Sequence, residues 1–172
     1  MSEEETEGQE PETEERWIKD KAGRSYRLTI AEVQDLWVLR VFHGRTLVGE
    51  SNCQRKDQEL FLGDLHILND VKIPEGGLSR FLRFVTGCQK TPVSYRGRGL
   101  GRSLLKFIMD RAAERGLRQI TGNLFPRDLK ENPKLPDWYR QFGFEVTMKN
   151  EESGSIRLKL PLRLMRQGNN LV

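Results

Sequence analysis

Residues 96–115 read RGRGLGRSLLKFIMDRAAER, a glycine–arginine turn running straight into an apolar-periodic stretch. Leu100, Leu104, Leu105, Ile108 and Ala112 fall on one helical face, with Arg102, Lys106, Asp110 and Glu114 opposite. Gly116 follows as a stop. The spacing predicts a helix over 100–115. The front of such a helix carries backbone N–H groups without partners and a partial positive charge. Glycines let those amides approach a ligand, and the arginines add charge, which is what a pyrophosphate requires. The turn lacks the glycine spacing of a dinucleotide fingerprint and the Gly-Lys-Ser/Thr end of a triphosphate loop. On its local pattern alone it is equally a flexible basic turn.

Working outward, Arg118–Leu124 alternates like a strand directly after the helix. Upstream, Arg24–Ile30, Leu36–His43, Thr46–Cys53 and Glu59–Leu68 read as four strands, the second and third joined by a turn at His43-Gly44-Arg45. Downstream come a short helix over Leu135–Phe142, stopped by Gly143, and strands over Phe144–Met148 and Ser155–Leu160. The hairpins call for antiparallel pairing, and the strand–helix–strand passage calls for a parallel pair. The expected fold is α/β of the α+β kind: a mixed, mostly antiparallel twisted sheet of about seven strands flanked by helices.

A chain of 172 residues holds one domain with a substantial core. Apolar residues make up 36% and charged residues 31%, and no run is apolar enough to span a membrane. The N-terminus does not have the basic-then-apolar pattern of a secretory signal. Cys53 and Cys88 lie far apart, with neither a disulfide framework nor zinc spacing, so two reduced thiols, a cytoplasmic setting and no metal are expected. The net charge of +4 conceals an asymmetry: the first fifteen residues hold eight glutamates and no Lys or Arg, leaving +12 on the rest. Residues 1–16 are read as a disordered acidic tail, 17–164 as a single domain and 165–172 as a C-terminal tail. The basic body suits nucleic acid, a polyphosphate ligand or an acidic partner, or serves solubility alone.

Two motifs together carry a family resemblance. Arg96-x-x-Gly99-x-Gly101 before an amphipathic helix resembles the acetyl-coenzyme A pyrophosphate loop of the GNAT superfamily of N-acetyltransferases. Asn132 and Tyr139, leading into Gln141-Phe142-Gly143-Phe144, are similar to that family's Asn…Tyr…Gly-Phe segment. The resemblance covers roughly Glu59–Met148. It implies that the amides of Gly97, Arg98, Gly99, Leu100, Gly101 and Arg102 cradle the pyrophosphate, with the Arg96, Arg98 and Arg102 side chains nearby. It implies that the fourth predicted strand splays from the next around Leu65–Leu68, where Leu65 and Ile67 border the pantetheine arm as it pairs with the strand edge. It further implies that Asn132 hydrogen-bonds the cofactor arm and that Tyr139 points at the thioester sulfur.

Acid strengths give the chemistry such a site needs. An alkyl ammonium with a pKa of about 10.4 must lose a proton before it attacks. A phenol at about 10 outlasts a thiol at about 8.5, so it stays protonated yet can serve an emerging thiolate. Tyr139 is therefore the candidate acid. Asp64 and His66 share one face of the fourth strand and are candidate bases, with Glu50 on the third strand as the other option. The expected function is acetyl transfer from acetyl-CoA to a primary amine by direct attack in a ternary complex. A non-catalytic CoA-binding sensor and a basic nucleic-acid module are the alternatives, the latter disfavoured because aromatics are not interleaved with the charges. The acceptor is not specified by the sequence, and a homodimer is left open.

The chain departs from the family in two places. The two helices usual between the first and second strands have no room between Ile30 and Leu36. An insertion, 69–94, stands between the fourth strand and the phosphate loop, with Arg80, Phe81, Arg83 and Phe84 expected to cover the acceptor site.

Overall fold

The computed structural model describes residues 12–68 and 94–161. Strands β1 (Glu12–Lys19), β2 (Ser25–Val33), β3 (Leu36–His43), β4 (Thr46–Lys56) and β5 (Glu59–Ile67) form an antiparallel meander. Helix α1 (Leu100–Glu114) then leads to β6 (Gln119–Leu124), which lies parallel to β5. Short helices α2 (Pro126–Glu131) and α3 (Leu135–Arg140) precede the hairpin β7 (Glu145–Asn150) and β8 (Ser153–Lys159). The sheet order is β1-β2-β3-β4-β5-β6-β8-β7, and β5–β6 is the one parallel pair among the described residues. The expected mixed, mostly antiparallel architecture is what the chain adopts, with eight strands among the described residues rather than about seven.

The added strand is β1, and it corrects the tail reading. Residues assigned to a disordered acidic tail as far as 16 include Glu12–Arg16, which pair with Glu32–Leu28 of β2. The charge argument failed because the glutamates find cations. Glu14 meets Arg111 at 2.8 Å, and Glu15 meets Arg27 at 2.7 Å. Arg111 also binds Glu32, which Arg115 shares at 2.8 Å, so α1 and the first hairpin are cross-linked through opposite charges. Ile18 anchors the strand from below by burial. Residues 1–11 and the C-terminal tail of 165–172 lie outside the described residues.

Only a tight turn at Gln34-Asp35 separates β2 from β3, and Gln34 takes a left-handed φ of 55° there. No helix intervenes, as the spacing of Ile30 and Leu36 required. The insertion proper, 69–93, lies outside the described residues, and with it the role expected of Arg80, Phe81, Arg83 and Phe84.

One core joins the elements. Alternate residues of the strands, Tyr26, Leu28 and Ile30, Trp37, Leu39 and Val41, and Leu60 and Leu62, are buried on one side of the sheet. The predicted apolar stripe of α1, Leu100, Leu104, Leu105, Ile108 and Ala112, is fully buried against them. Each of those leucines contributes about 1.5–3 kcal/mol by leaving water. This burial fixes the helix, and therefore its glycine-rich front, against the end of β5.

Candidate active site

The parting of β5 and β6 creates the site. Their parallel register runs from Glu59–Gln119 to Leu62–Gly122 and stops there, although β5 continues to Ile67 and β6 to Leu124. A bulge drives the separation. Asn52 of β4 faces Asp64, but its neighbour Cys53 faces Leu62, so Gly63 is an extra residue on β5. Ser51, fully buried, pins the bulged strand by donating its hydroxyl to the Asp64 carbonyl at 2.5 Å.

The bulge also switches the side-chain alternation. Leu65 and Ile67 now face α1, and both approach to 3.7 Å of the position a Cβ would take on Gly101. Asp64 and His66 lie on the other face, where His66 stands opposite Glu50 across β4–β5. The alternation thus divides an apolar wall of β5 from a polar one.

A cavity of about 610 Å³ fills the gap and runs to the front of α1. Its walls are Leu62–Ile67 of β5, Asn123 and Leu124 of β6, Arg96, Gly97 and Gly99–Arg102 at the helix front, and Asp128, Glu131, Asn132, Leu135, Trp138 and Tyr139 of the α2–α3 region. The residues that the sequence singled out as catalytic or cofactor-binding line this space, except Arg98 and the alternative base Glu50. The Arg98 guanidinium instead lies over the Tyr95 ring, 4.6 Å from its centre.

The helix front meets the requirements of an anion cradle. Gly97 and Gly99 have φ of 75° and 89°, a backbone form in which a side chain is strained. The first intrahelical bond runs from Ser103 N–H to the Gly99 carbonyl at 3.1 Å, which leaves the preceding amides without helical acceptors. No acidic residue sits in the first turn of α1. Arg102 is held by Gln141 at 2.9 Å and by the Phe142 ring. Arg96 reaches the Ile67 carbonyl and the Glu131 carboxylate, each at 3.2 Å. The Arg96 and Arg127 guanidiniums hold the Glu131 carboxyl below its ordinary range.

Tyr139 lines the cavity, 7% exposed, with its ring packed edge-on against Trp138 and Phe144. Its hydroxyl bonds no group among the described residues and is not sealed from solvent, so it opens into the cavity. Burial pushes the phenol well above its usual pKa, and the negative charges of Asp128 and Asp64 push it further. It is a persistent hydrogen-bond donor, suited to holding a developing thiolate rather than to surrendering its proton outright. Asn132 bends the chain between α2 and α3, accepting the Lys134 N–H on its side-chain oxygen at 3.3 Å.

Sequence reasoning did not mark Lys21, Asp128 or helix α2. The helix had a local signal: Pro126 at its start, with Asp128 turned back to accept the Phe125 N–H at 3.2 Å. Lys21 had none, because only the pairing of β1 with β2 brings it to the cavity.

Comparison with known proteins bears on the fold and on one segment of the chain. The acetyltransferase (GNAT) domain model matches residues 92–146, the segment that holds both the glycine-rich turn and the Asn132–Tyr139 motif. No curated protein sequence matches the chain. Among solved structures, it is similar to the GNAT domain of S. lividans PAT, at 12% identity and a TM-score of 0.57, over 85% of this chain and 97% of that one. It is similar to the PaiA N-acetyltransferase of Thermoplasma acidophilum, solved in complex with coenzyme A, at 15% identity and a TM-score of 0.51. That likeness covers 73% of this chain and only 61% of the Thermoplasma protein. The ribosomal-protein-S18-alanine N-acetyltransferase of Escherichia coli gives 15% identity and a TM-score of 0.50, over 82% of this chain and 77% of that one. The fold is that of the GNAT acetyltransferases, and within it residues 92–146 match the GNAT acetyltransferase domain model.

Proposed function

We propose that this chain is an acetyl-CoA-dependent N-acetyltransferase that passes an acetyl group to a primary amine by direct attack in a ternary complex. The observation that carries the reading is the union of three features in one cavity: an amide-lined helix front, a strand edge freed by the parting of β5 and β6, and a phenol opening between them. The known acetyltransferases that share the fold support it.

The residues fit the cofactor. The amides of Gly97–Arg102 would hold its diphosphate, the free edge of β5 beyond Leu62 would pair with its amide-bearing arm, and Asn132 would hydrogen-bond that arm. Bound acetyl-CoA supplies an acetyl group activated as a thioester.

The protein's own groups do the rest. A backbone N–H of β5 beyond the bulge would be the donor available to the acetyl oxygen. Asp64, with His66 on the same strand face, takes the proton that the acceptor ammonium must lose. The Tyr139 hydroxyl would be the hydrogen-bond donor for the thiolate sulfur. Support for Asp64 over Glu50 is positional: Asp64 and His66 line the cavity and Glu50 does not.

The test is thiol release from acetyl-CoA across a panel of amines: small alkyl amines, amino acids, and peptides bearing free N-termini or lysines. Turnover with a subset, and an acetyl amide on the product by mass spectrometry, is the expected result. Tight CoA binding with no turnover on any amine would leave a sensor instead.

A further inference from the structure

We infer that Lys21, in the turn between β1 and β2, is a further diphosphate-binding residue, so that the first hairpin completes a cradle begun by the glycine-rich turn. This assignment rests on the acetyl-CoA reading above. No pattern around Lys21 marks it in the sequence, and its place is set entirely by how the hairpin docks.

Two hydrogen bonds fasten that hairpin to the helix front. The Lys21 N–H donates to the Arg98 carbonyl at 2.9 Å. The Ser103 hydroxyl, in the first turn of α1, donates to the Lys19 carbonyl at 2.7 Å. The contact is close: a Cβ on Gly99 would lie 3.5 Å from both the backbone nitrogen and the Cβ of Lys21. The lysine side chain therefore leaves the backbone beside the amides of the cradle, and it lines the cavity.

The turn that presents it is rigid. Asp20 has a fully buried side chain. It accepts from the N–H groups of Ala22 at 2.9 Å and Arg24 at 3.0 Å, from Arg24 Nε at 2.8 Å and from the Tyr26 hydroxyl at 3.1 Å. Four donors consume the Asp20 charge locally, so it does not neutralise its neighbour. Lys21 has no carboxylate partner among the described residues. The residue is exposed, and its side chain starts out beside Gly99 of the cradle.

The two arginines that line the cavity are differently placed. Arg96 is paired with Glu131, and Arg102 is held by Gln141. A phosphate would have to draw them from those partners, whereas the Lys21 side chain has no such partner among the described residues. Its strongly hydrated point charge on a flexible stem suits a diphosphate approached from the side.

The test compares the full-length chain with Lys21→Gln and Lys21→Arg, titrated with three probes. These are CoA, dephospho-CoA, which lacks the 3′-phosphate, and pantetheine, which lacks the diphosphate too. Loss of one charge-assisted contact predicts Lys21→Gln binding CoA and dephospho-CoA about tenfold more weakly or worse. Pantetheine should be unaffected, Lys21→Arg should recover most of the loss, and the wild-type advantage should shrink with added salt. Equal affinity of Lys21→Gln and wild type overturns the assignment. A loss confined to CoA overturns it as well, by moving the lysine to the 3′-phosphate. A wild-type chain that binds none of the three defeats the acetyl-CoA reading itself, and this assignment with it, before any variant is compared.

Discussion

Leu62 and Gly122 are the last partners across the parallel junction of β5 and β6, and the Leu62 carbonyl lies 3.0 Å from where a Cβ on Gly122 would stand. Beyond this pair the strands separate, so this pair is the hinge of the cavity. Ile156 side-chain atoms close in to 3.2 Å of the same point from β8. A methyl group there meets a carbonyl that the sheet cannot move. Gly122→Ala should cost about 1–3 kcal/mol as overpacking. Chemical denaturation would measure it. A variant as stable as the wild type would show that the junction is looser than described.

The glycines of the helix front should separate by backbone conformation. Gly99 has φ of 89° and Gly97 has φ of 75°. Alanine at either position carries a left-handed penalty of about 1–2 kcal/mol. Gly101 lies inside α1, and a Cβ there would meet Ile67, Leu65 and Trp138 only at ordinary contact distances of 3.7–3.8 Å. Gly101→Ala gains helix propensity of about 1 kcal/mol and should melt at or above the wild-type temperature. Gly99→Ala should melt lower. A reversed order would contradict the geometry of the cradle.

How much of this was legible in the chain itself varied with the range of the forces involved. The α1 stripe from Leu100 to Ala112 was readable because burial repeats along a helix, and the two motifs flanking it placed Gly99, Gly101 and Tyr139 at one cavity. The strand β1 was not, because its glutamates look like a solvated block until Arg111 and Arg27 come within reach, and neither is close in sequence. The bulge at Gly63 was equally hidden. It is a property of register between β4 and β5, yet it decides that Leu65 and Ile67 face α1 while Asp64 and His66 face away. Lys21 shows the same limit, since a residue in a short turn joins a cavity only by virtue of what the turn packs on.

Removing one oxygen separates chemistry from packing in the cavity. Tyr139→Phe keeps the edge-on contacts with Trp138 and Phe144 and deletes the one group that opens toward the proposed sulfur position. Rate with the best acceptor should fall by about 10²-fold or more, while the Kd for CoA and the melting temperature hold. Because burial raises the Tyr139 phenol, the wild-type rate should show no alkaline limb from this residue below pH of about 10. Unchanged turnover in the variant would remove Tyr139 from the mechanism.

Acid should weaken the first hairpin through Asp20. Burial by itself pushes this carboxyl up, but the hydrogen bonds from Arg24, Tyr26 and Ala22 outweigh it and bring it down from 3.8 to about 2. A carboxyl whose folded pKa is depressed stabilises the fold fully above its unfolded pKa and loses that contribution as pH falls toward the folded value. The window is therefore about pH 4 down to about pH 2. Asp20→Asn keeps the shape of the side chain but not the charge. Its melting temperature should lie below the wild type by a constant gap between about pH 5 and 7, and the gap should close as the pH falls through that window. Since the same turn delivers the Lys21 N–H to the Arg98 carbonyl, the variant should also bind CoA less tightly at neutral pH. A gap that persists undiminished near pH of about 2 would mean that the lost stability came from packing rather than from the charge.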